Sequence, residues 1–549
     1  MAVLDRQQLY QKAVAKFPHL KAYLTRWEQE GNDPPEFLVQ LSSDMAKLEH
    51  FNVLYPTRDP VFIHCFLHPG SGGKRYVVLE PGMDDALRAK FRAITDLILK
   101  KAPEEPAHEN QEQFVAILER LLERVTVGKA EPTTRLFKEW EDPKVVITPA
   151  ELEVLRYYLR RNIIESGILE GILRDSYIED VHSVGTADIF IVHKVFNMMR
   201  TNVRFSDEVE LDSFLRSMSE RIGKPVSDSK PIVDGSLPDG SRINIIYSDD
   251  VSQKGSSFTI RKFSPTPLTF SRLVSWGTFS PLVAAYLWLA LEFGMNCIVS
   301  GETASGKTTS LNSMLTFINH SAKVYTAEDT PEVIAPQPVW QRLVTRDTGP
   351  QESRVDLFDL IRAALRSRPN YIIVGETRGR EGAMMFQAMQ TGHSVMSTFH
   401  APSTTQMIQR FTGEPINVPI RFFDNLNIAV FQKVIYDQGR LIRRVVSVDE
   451  ILRYSKQLDG VLVRSVFQWD PYTDTHYFRG MNNSYILEEK IAPQLKFEDK
   501  RMIYTELQKR ARFIQAMVDH HIFEYAEVNR IMAAYYAEGE KGLPPEILS

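Results

Sequence analysis

The sequence predicts an α/β fold with a parallel sheet, and three observations carry the prediction. Short apolar runs recur at Met295–Val299, Lys323–Thr326, Tyr371–Val374 and Ser394–Thr398, separated by stretches long enough for crossover helices, as parallel strands require. The first run leads directly into a glycine-rich turn, Gly301 to Thr308, with a helical pattern beyond it. The chain has 549 residues, 43% of them hydrophobic and 25% charged, enough for more than one core and an ordinary balance for a folded protein.

Residues 1–125 read as an N-terminal mixed α/β module. Val61–Leu67 and Arg75–Leu79 are predicted strands around the turn His68–Lys74, and Leu87, Phe91, Ile94 and Ile98 recur at helical spacing. Ala102–Gln113, with its prolines and acids, reads as a linker. A second, smaller α/β domain is expected over 145–263. It holds a helix around Glu151–Glu165, strands that include Ile189–His193 and Ser257–Phe263, and the turn-rich segment PIVDGSLPDGSR. Ser264–Pro267 (SPTP) reads as the connector, because its two prolines cannot continue a helix.

Residues 268–549 form the third expected region. Ser280 is placed to cap a helix with Pro281 at its first position, and Gly294 to stop it just before the Met295 strand. Beyond about Ser484 the chain reads as helical, with Ile503, Leu507, Ile514 and Val518 on one stripe.

Composition narrows the function. A net charge of −5 argues against a protein that coats nucleic acid, so no stable nucleic-acid binding is expected. The two cysteines, Cys65 and Cys297, sit far apart in apolar runs and suggest neither a disulfide framework nor a CxxC zinc module, which fits a reducing cytoplasm. No secretory leader is read at the N-terminus, and the apolar segment Leu282–Leu291 is too short to cross a bilayer. A cytoplasmic protein that meets a membrane through partners is expected.

The chemistry centres on Gly301-Glu302-Thr303-Ala304-Ser305-Gly306-Lys307-Thr308, which fits G-x-x-x-x-G-K-[ST] in the strand-to-helix context that motif needs. The glycines let backbone N–H groups curl around phosphate oxygens beside the positive end of a helix. Lys307 then neutralises β- and γ-phosphate charge, and the Thr308 hydroxyl suits Mg2+, a hard cation. ATP and Mg2+ are the expected cofactors. Thr309 completes the nucleotide-binding set.

Two acidic segments follow predicted strands. Glu376 in YIIVGETRGRE stands where the ligand edge of a parallel sheet lies, a second metal-side candidate beside Thr308. Glu328, in VYTAEDTPE with Asp329 and Glu332, is best placed to orient or deprotonate water, although three acids in five residues also suit a solvated turn. In TGHSVMSTFHA, His393 and His400 fall at opposite ends of a strand. Their spacing suits no usual zinc motif, which leaves structural histidines against a γ-phosphate sensor or subunit contact.

Taken together, GETASGKTT, AEDTPE, VGETRGRE and TGHSVMSTFHA resemble the secretion ATPase superfamily of type II secretion, type IV pili and archaella. The resemblance spans about Tyr177 to Tyr536, and the ending IMAAYYAEG looks most like the archaeal branch. It implies a RecA-like P-loop domain joined to the preceding α/β domain, a hexameric ring, and ATP in the cleft between the two. Glu328 then belongs to an acidic box, Glu376 to the second nucleotide motif, and His393 and His400 to a histidine box.

The same family brings arginines from the preceding domain toward the γ-phosphate, and Arg242 and Arg261 are the candidates, with paired surface residues as the plainer reading. Two cysteines cannot build the four-cysteine zinc insertion common in bacterial type II members. A polytopic membrane platform protein and pilin-like filament subunits are the implied partners. Rival readings are a DNA-transfer ATPase of conjugation or type IV secretion, and a scaffold that binds nucleotide and barely hydrolyses it.

Overall fold

The computed structural model describes residues 3–41, 45, 48, 50–68, 70, 72–106, 110–128, 144–263, 266–346, 350–437 and 440–548. The chain divides into two compact units, Met1–Phe263 and Ser264–Ser549. Ser264 and Pro265 of the expected connector lie outside the described residues.

The first unit holds twelve named strands in chain order among the described residues: β1 Glu36–Phe37, β2 Asn52–Arg58, β3 Val61–Leu67, β4 Lys74–Leu79, β5 Thr126–Val127, β6 Val145–Val146, β7 Ile178–Val184, β8 Phe190–His193, β9 Asn197–Thr201, β10 Ile232–Ser236, β11 Arg242–Ile246 and β12 Ser257–Arg261. Ten of them form one sheet in the order β1-β2-β3-β4-β9-β8-β7-β12-β11-β10, while β5 and β6 pair separately. The two modules expected over 1–125 and 145–263 therefore share a sheet. Their join is the parallel β4–β9 pair, with Arg75 opposite Arg200 and Tyr76 opposite Thr201. The Asn202 side chain extends it, accepting from Val78 N at 2.8 Å and donating to Val78 O at 3.0 Å.

The linker expected over Ala102–Gln113 is shorter in the structure. Ala102–Glu104 is a 3-10 turn and a helix already begins at Gln111, because the Asn110 side chain accepts from Gln113 N and caps it. The helix expected around Glu151–Glu165 runs Pro149–Leu159 behind a Thr148–Glu151 capping box and continues as a π turn over Arg160–Ile164.

The second unit holds β13 Cys297–Gly301, β14 Val324–Glu328, β15 Trp340–Val344, β16 Tyr371–Val374, β17 Ser394–Phe399, β18 Ile428–Asp437, β19 Arg440–Ser455, β20 Gly460–Asp470 and β21 Thr475–Phe478. They make one sheet in the order β15-β14-β16-β17-β13-β18-β19-β20-β21. The strands from β15 to β18 are parallel and the last three antiparallel.

Helices cover both faces of this sheet, which is why its inner strands are continuous apolar runs. Cys297 and Val299 of β13 face a core built with the helices Pro281–Glu292, Lys307–Met314 and Ile503–Asp519. Ile298 faces the opposite core, built with Leu357–Ser367, Glu381–Gln390 and Thr404–Thr412. The Pro281 helix starts on the Ser280 cap, whose side chain accepts from Val283 N. Gly294 follows its end at φ +76°, a conformation glycine adopts freely. Among the described residues, no helix is long and apolar enough to cross a membrane.

Candidate active site

Four strand ends converge on the site, all of them carboxyl ends of the parallel sheet, where ligands of such sheets bind. β13 ends at Gly301, β14 at Glu328, β16 just before Glu376, and β17 just before His400.

The turn after β13 is held by close contacts. A Cβ on Gly301 would stand 2.2 Å from the Gln432 carbonyl oxygen of β18, so only glycine fits there. Ala304 and Gly306 take left-handed backbone, φ +61° and +88°. Inside the turn the Glu302 carbonyl accepts from Ser305 Oγ at 2.8 Å and from Lys307 Nζ at 2.8 Å. Thr308 and Thr309 occupy the first turn of the helix Lys307–Met314. Ser310 of that helix donates to Gln432 Oε1 at 2.8 Å, tying the helix start to β18.

A polar chain connects the turn to the neighbouring strands. Lys307 Nζ lies 3.4 Å from His400 Nδ1, and His400 Nε2 lies 3.0 Å from Glu376 Oε1. An ammonium can only donate, so Nδ1 is the acceptor and Nε2–H donates to the carboxylate, which fixes the tautomer. Partial burial and the nearby Lys307 lower the His400 pKa from its ordinary value, against the pull of Glu376. Burial also lowers Lys307, with Glu376 opposing. Glu376 Oε2 accepts from Arg378 at 2.7 Å, and Arg410 donates to the His400 carbonyl.

Glu328 is 1% exposed. Its Oε1 accepts from Glu332 N at 2.8 Å and Val333 N at 2.7 Å, whereas Oε2 is buried without a hydrogen-bond partner. The nearest cation recorded beside it is Arg342, whose Nε stands 3.8 Å away. Burial pushes the carboxyl up to about 7, and the two backbone N–H groups and Arg342 pull the other way.

The residues fit Mg2+ and a nucleotide. The cradle is one a Cβ would fill, a buried carboxylate oxygen is left for a donor, and the Thr308 hydroxyl and Glu376 carboxylate are oxygen donors of the kind Mg2+ takes alongside phosphates. Among the described residues no group of three or more His, Cys, Asp or Glu side chains forms a metal cage.

His393 is not brought to this group. It precedes β17 at the end away from His400, and its Nδ1 meets the Thr391 hydroxyl at 3.1 Å. Arg242 and Arg261 belong to the first unit, where they are directly opposed across β11 and β12; Arg261 Nε also stands 3.9 Å from Asp180 Oδ1. Sequence reasoning missed Arg443, whose Nε donates to the Ala304 carbonyl at 3.0 Å, and Gln432 and Arg342. Each reaches the site from a strand with no recognisable motif, so nothing in the order of residues points to them.

The model of the type II/IV secretion system protein family matches residues 163–451, more than half of the chain. The chain belongs to the type II/IV secretion system protein family. An uncharacterized protein of Methanocaldococcus jannaschii is 51% identical over 99% of this chain and 100% of its own length. The type IV secretion system protein VirB11 of Bartonella quintana is 26% identical over 37% of this chain and 67% of its own length.

Among solved structures, the Legionella pneumophila ATPase DotB is 16% identical with a TM-score of 0.38, covering 68% of this chain and 95% of its own. The pilus retraction motor PilT with bound ADP is 17% identical with a TM-score of 0.37, covering 69% and 96%. Membership of the type II/IV secretion system family rests on the sequence matches. The second unit, an α/β fold, carries every site residue named above except Arg242 and Arg261.

Proposed function

We propose that this protein is an ATPase motor, hydrolysing ATP with Mg2+ to drive a type IV pilus-like filament, type II secretion or an archaellum. The observation that carries the reading is the Lys307–His400–Glu376 chain, which ties the phosphate-binding turn to the ends of β16 and β17. A bound triphosphate supplies the bond to be broken and Mg2+ draws charge from its oxygens. Lys307 neutralises phosphate charge, and Thr308 and Glu376 hold the metal side. His400 senses the γ-phosphate between Lys307 and Glu376. Glu328 orients water and accepts its proton through the oxygen that has no hydrogen-bond partner.

Arg242 and Arg261 in this reading stabilise charge on the leaving phosphate from the preceding domain. His393 serves a subunit contact. The working form is a hexamer at the cytoplasmic face of the membrane, docked on a polytopic platform protein beneath pilin-like subunits.

Phosphate release and nucleotide binding by the full chain test the chemistry. Lys307→Ala is expected to abolish turnover and weaken nucleotide binding, whereas Glu328→Gln is expected to keep binding and lose at least about a hundredfold in turnover, the scale of a lost general base. Parent-level turnover in Lys307→Ala would remove the proposal.

A further inference from the structure

Arg443 reaches the phosphate-binding turn from β19, 139 residues further along the chain. Its Nε donates to the Ala304 carbonyl at 3.0 Å, and its Cδ lies 3.2 Å from where a Cβ on Gly306 would stand. The side chain therefore lies along the turn at both of its left-handed residues. For Gly306 that backbone is free. For Ala304 it is unfavourable, and it persists where the surroundings hold it.

A peptide group is planar, so a bond that fixes the Ala304 carbonyl on the β19 side also fixes the Ser305 N–H on the other. That N–H donates to the Glu302 carbonyl, 3.4 Å from N to O, the same oxygen that accepts from Lys307 and Ser305 Oγ inside the turn. Successive N–H groups around a left-handed residue form the concavity that binds anions. Rotation of the Ala304–Ser305 peptide would exchange a donor for a carbonyl oxygen where a phosphate belongs.

The adjacent arginine shows what a structural arginine looks like on this strand. Arg444 is buried, pairs with Asp474 through two bonds of 2.7 and 2.8 Å, and donates to the Trp276 carbonyl. Arg443 is exposed, and its terminal amino groups have no hydrogen-bond partner among the described residues. Its recorded side-chain bond goes to the turn.

We propose that Arg443 is a positioning residue for the nucleotide: by holding the Ala304 carbonyl against β19 it keeps the N–H groups of the turn preformed for phosphate. The proposal rests on the nucleotide reading of the site. The test titrates the full chain with a fluorescent ADP in Mg2+, measures steady-state turnover, and records nucleotide-free melting. Arg443→Met keeps the aliphatic cover over Gly306 and removes the donor, whereas Arg443→Lys keeps a donor on a similar stem.

Arg443→Met is expected to bind the ADP probe about tenfold more weakly, the scale of one lost hydrogen bond to a preformed site. Its KM for ATP rises by more than its kcat falls, its nucleotide-free melting point stays within about 2 °C of the parent's, and Arg443→Lys recovers at least half of the lost affinity on a logarithmic scale. Parent-like affinity in Arg443→Met overturns the proposal, as does a loss matched by a fall in melting point or one that lysine leaves untouched. Lys307→Ala is the control: should it too bind the probe like the parent, the nucleotide reading fails in place of the role given to Arg443.

Discussion

Glu328 shows how an environment sets the chemistry of one carboxyl. Burial favours the neutral form, and an ordinary acid near 4.5 is moved to about 7, so the ionised form that the proposed role needs is half populated at that pH and falls away below it. Turnover is therefore expected to fall about tenfold per unit as pH drops below about 7, and Arg342→Gln is expected to move that limb to higher pH by removing a stabilising positive charge. The linkage has the matching sign. The folded carboxyl holds its proton to a higher pH than the unfolded one, so the cost of ionising it is present above about 7 and is relieved as pH falls toward 4.5. Glu328→Gln should then gain stability over the parent at pH 8 in urea melts and lose that gain by pH 5. The acid could be found in the sequence because it ends an apolar strand. Its orphaned oxygen and the approach of Arg342 could not, since both depend on how β15 lies beside β14.

Strands and helices were legible wherever local chemistry dictated them. Ser280, Pro281 and Gly294 bracket a helix by capping alone, and Val61–Leu67 is continuous buried β structure. Boundaries slipped where only tertiary contacts fix them. The strand expected over Met295–Val299 is Cys297–Gly301, because pairing with β17 runs to Ser300 and pairing with β18 continues to Gly301. Likewise β14 extends to include Glu328. The β18–β19 register, which carries Gln432 and Arg443 to the turn, is a long-range pairing with no local signature. Gly301→Ala tests how rigid that arrangement is. With the Gln432 carbonyl 2.2 Å from the new Cβ, the strand or the turn must shift, and denaturant unfolding should show a loss of about 2 kcal/mol or more, with weaker nucleotide binding. An alanine variant as stable as the parent would mean the turn adjusts freely.

At the scale of the whole chain, the sequence marked the change of pattern near Ser264 but not the sharing of a sheet by what precedes it, because β4 and β9 pair across more than a hundred residues through only two registered pairs. The apolar cores follow the two units: Leu20, Val53, Ile94 and Ile243 belong to clusters in the first, and Val283, Ile298, Phe386 and Ile514 to clusters in the second. Separate cores predict two thermal transitions in calorimetry. Mg-ADP at a hundred times its dissociation constant should raise chiefly the transition of Ser264–Ser549, by the equivalent of about 2.7 kcal/mol. A single transition that moves as one would show that the units melt together.

The seam between β4 and β9 has a mechanical consequence. Among the described residues, two ladder pairs, the amide of Asn202 and a bond from Lys74 Nζ to the Phe196 carbonyl carry the hydrogen bonding along it. Pulled along the strand axis, those contacts resist together; prised open from one end, they break in succession. The β4–β9 line is thus expected to hold better under lengthwise tension than under peeling from one end.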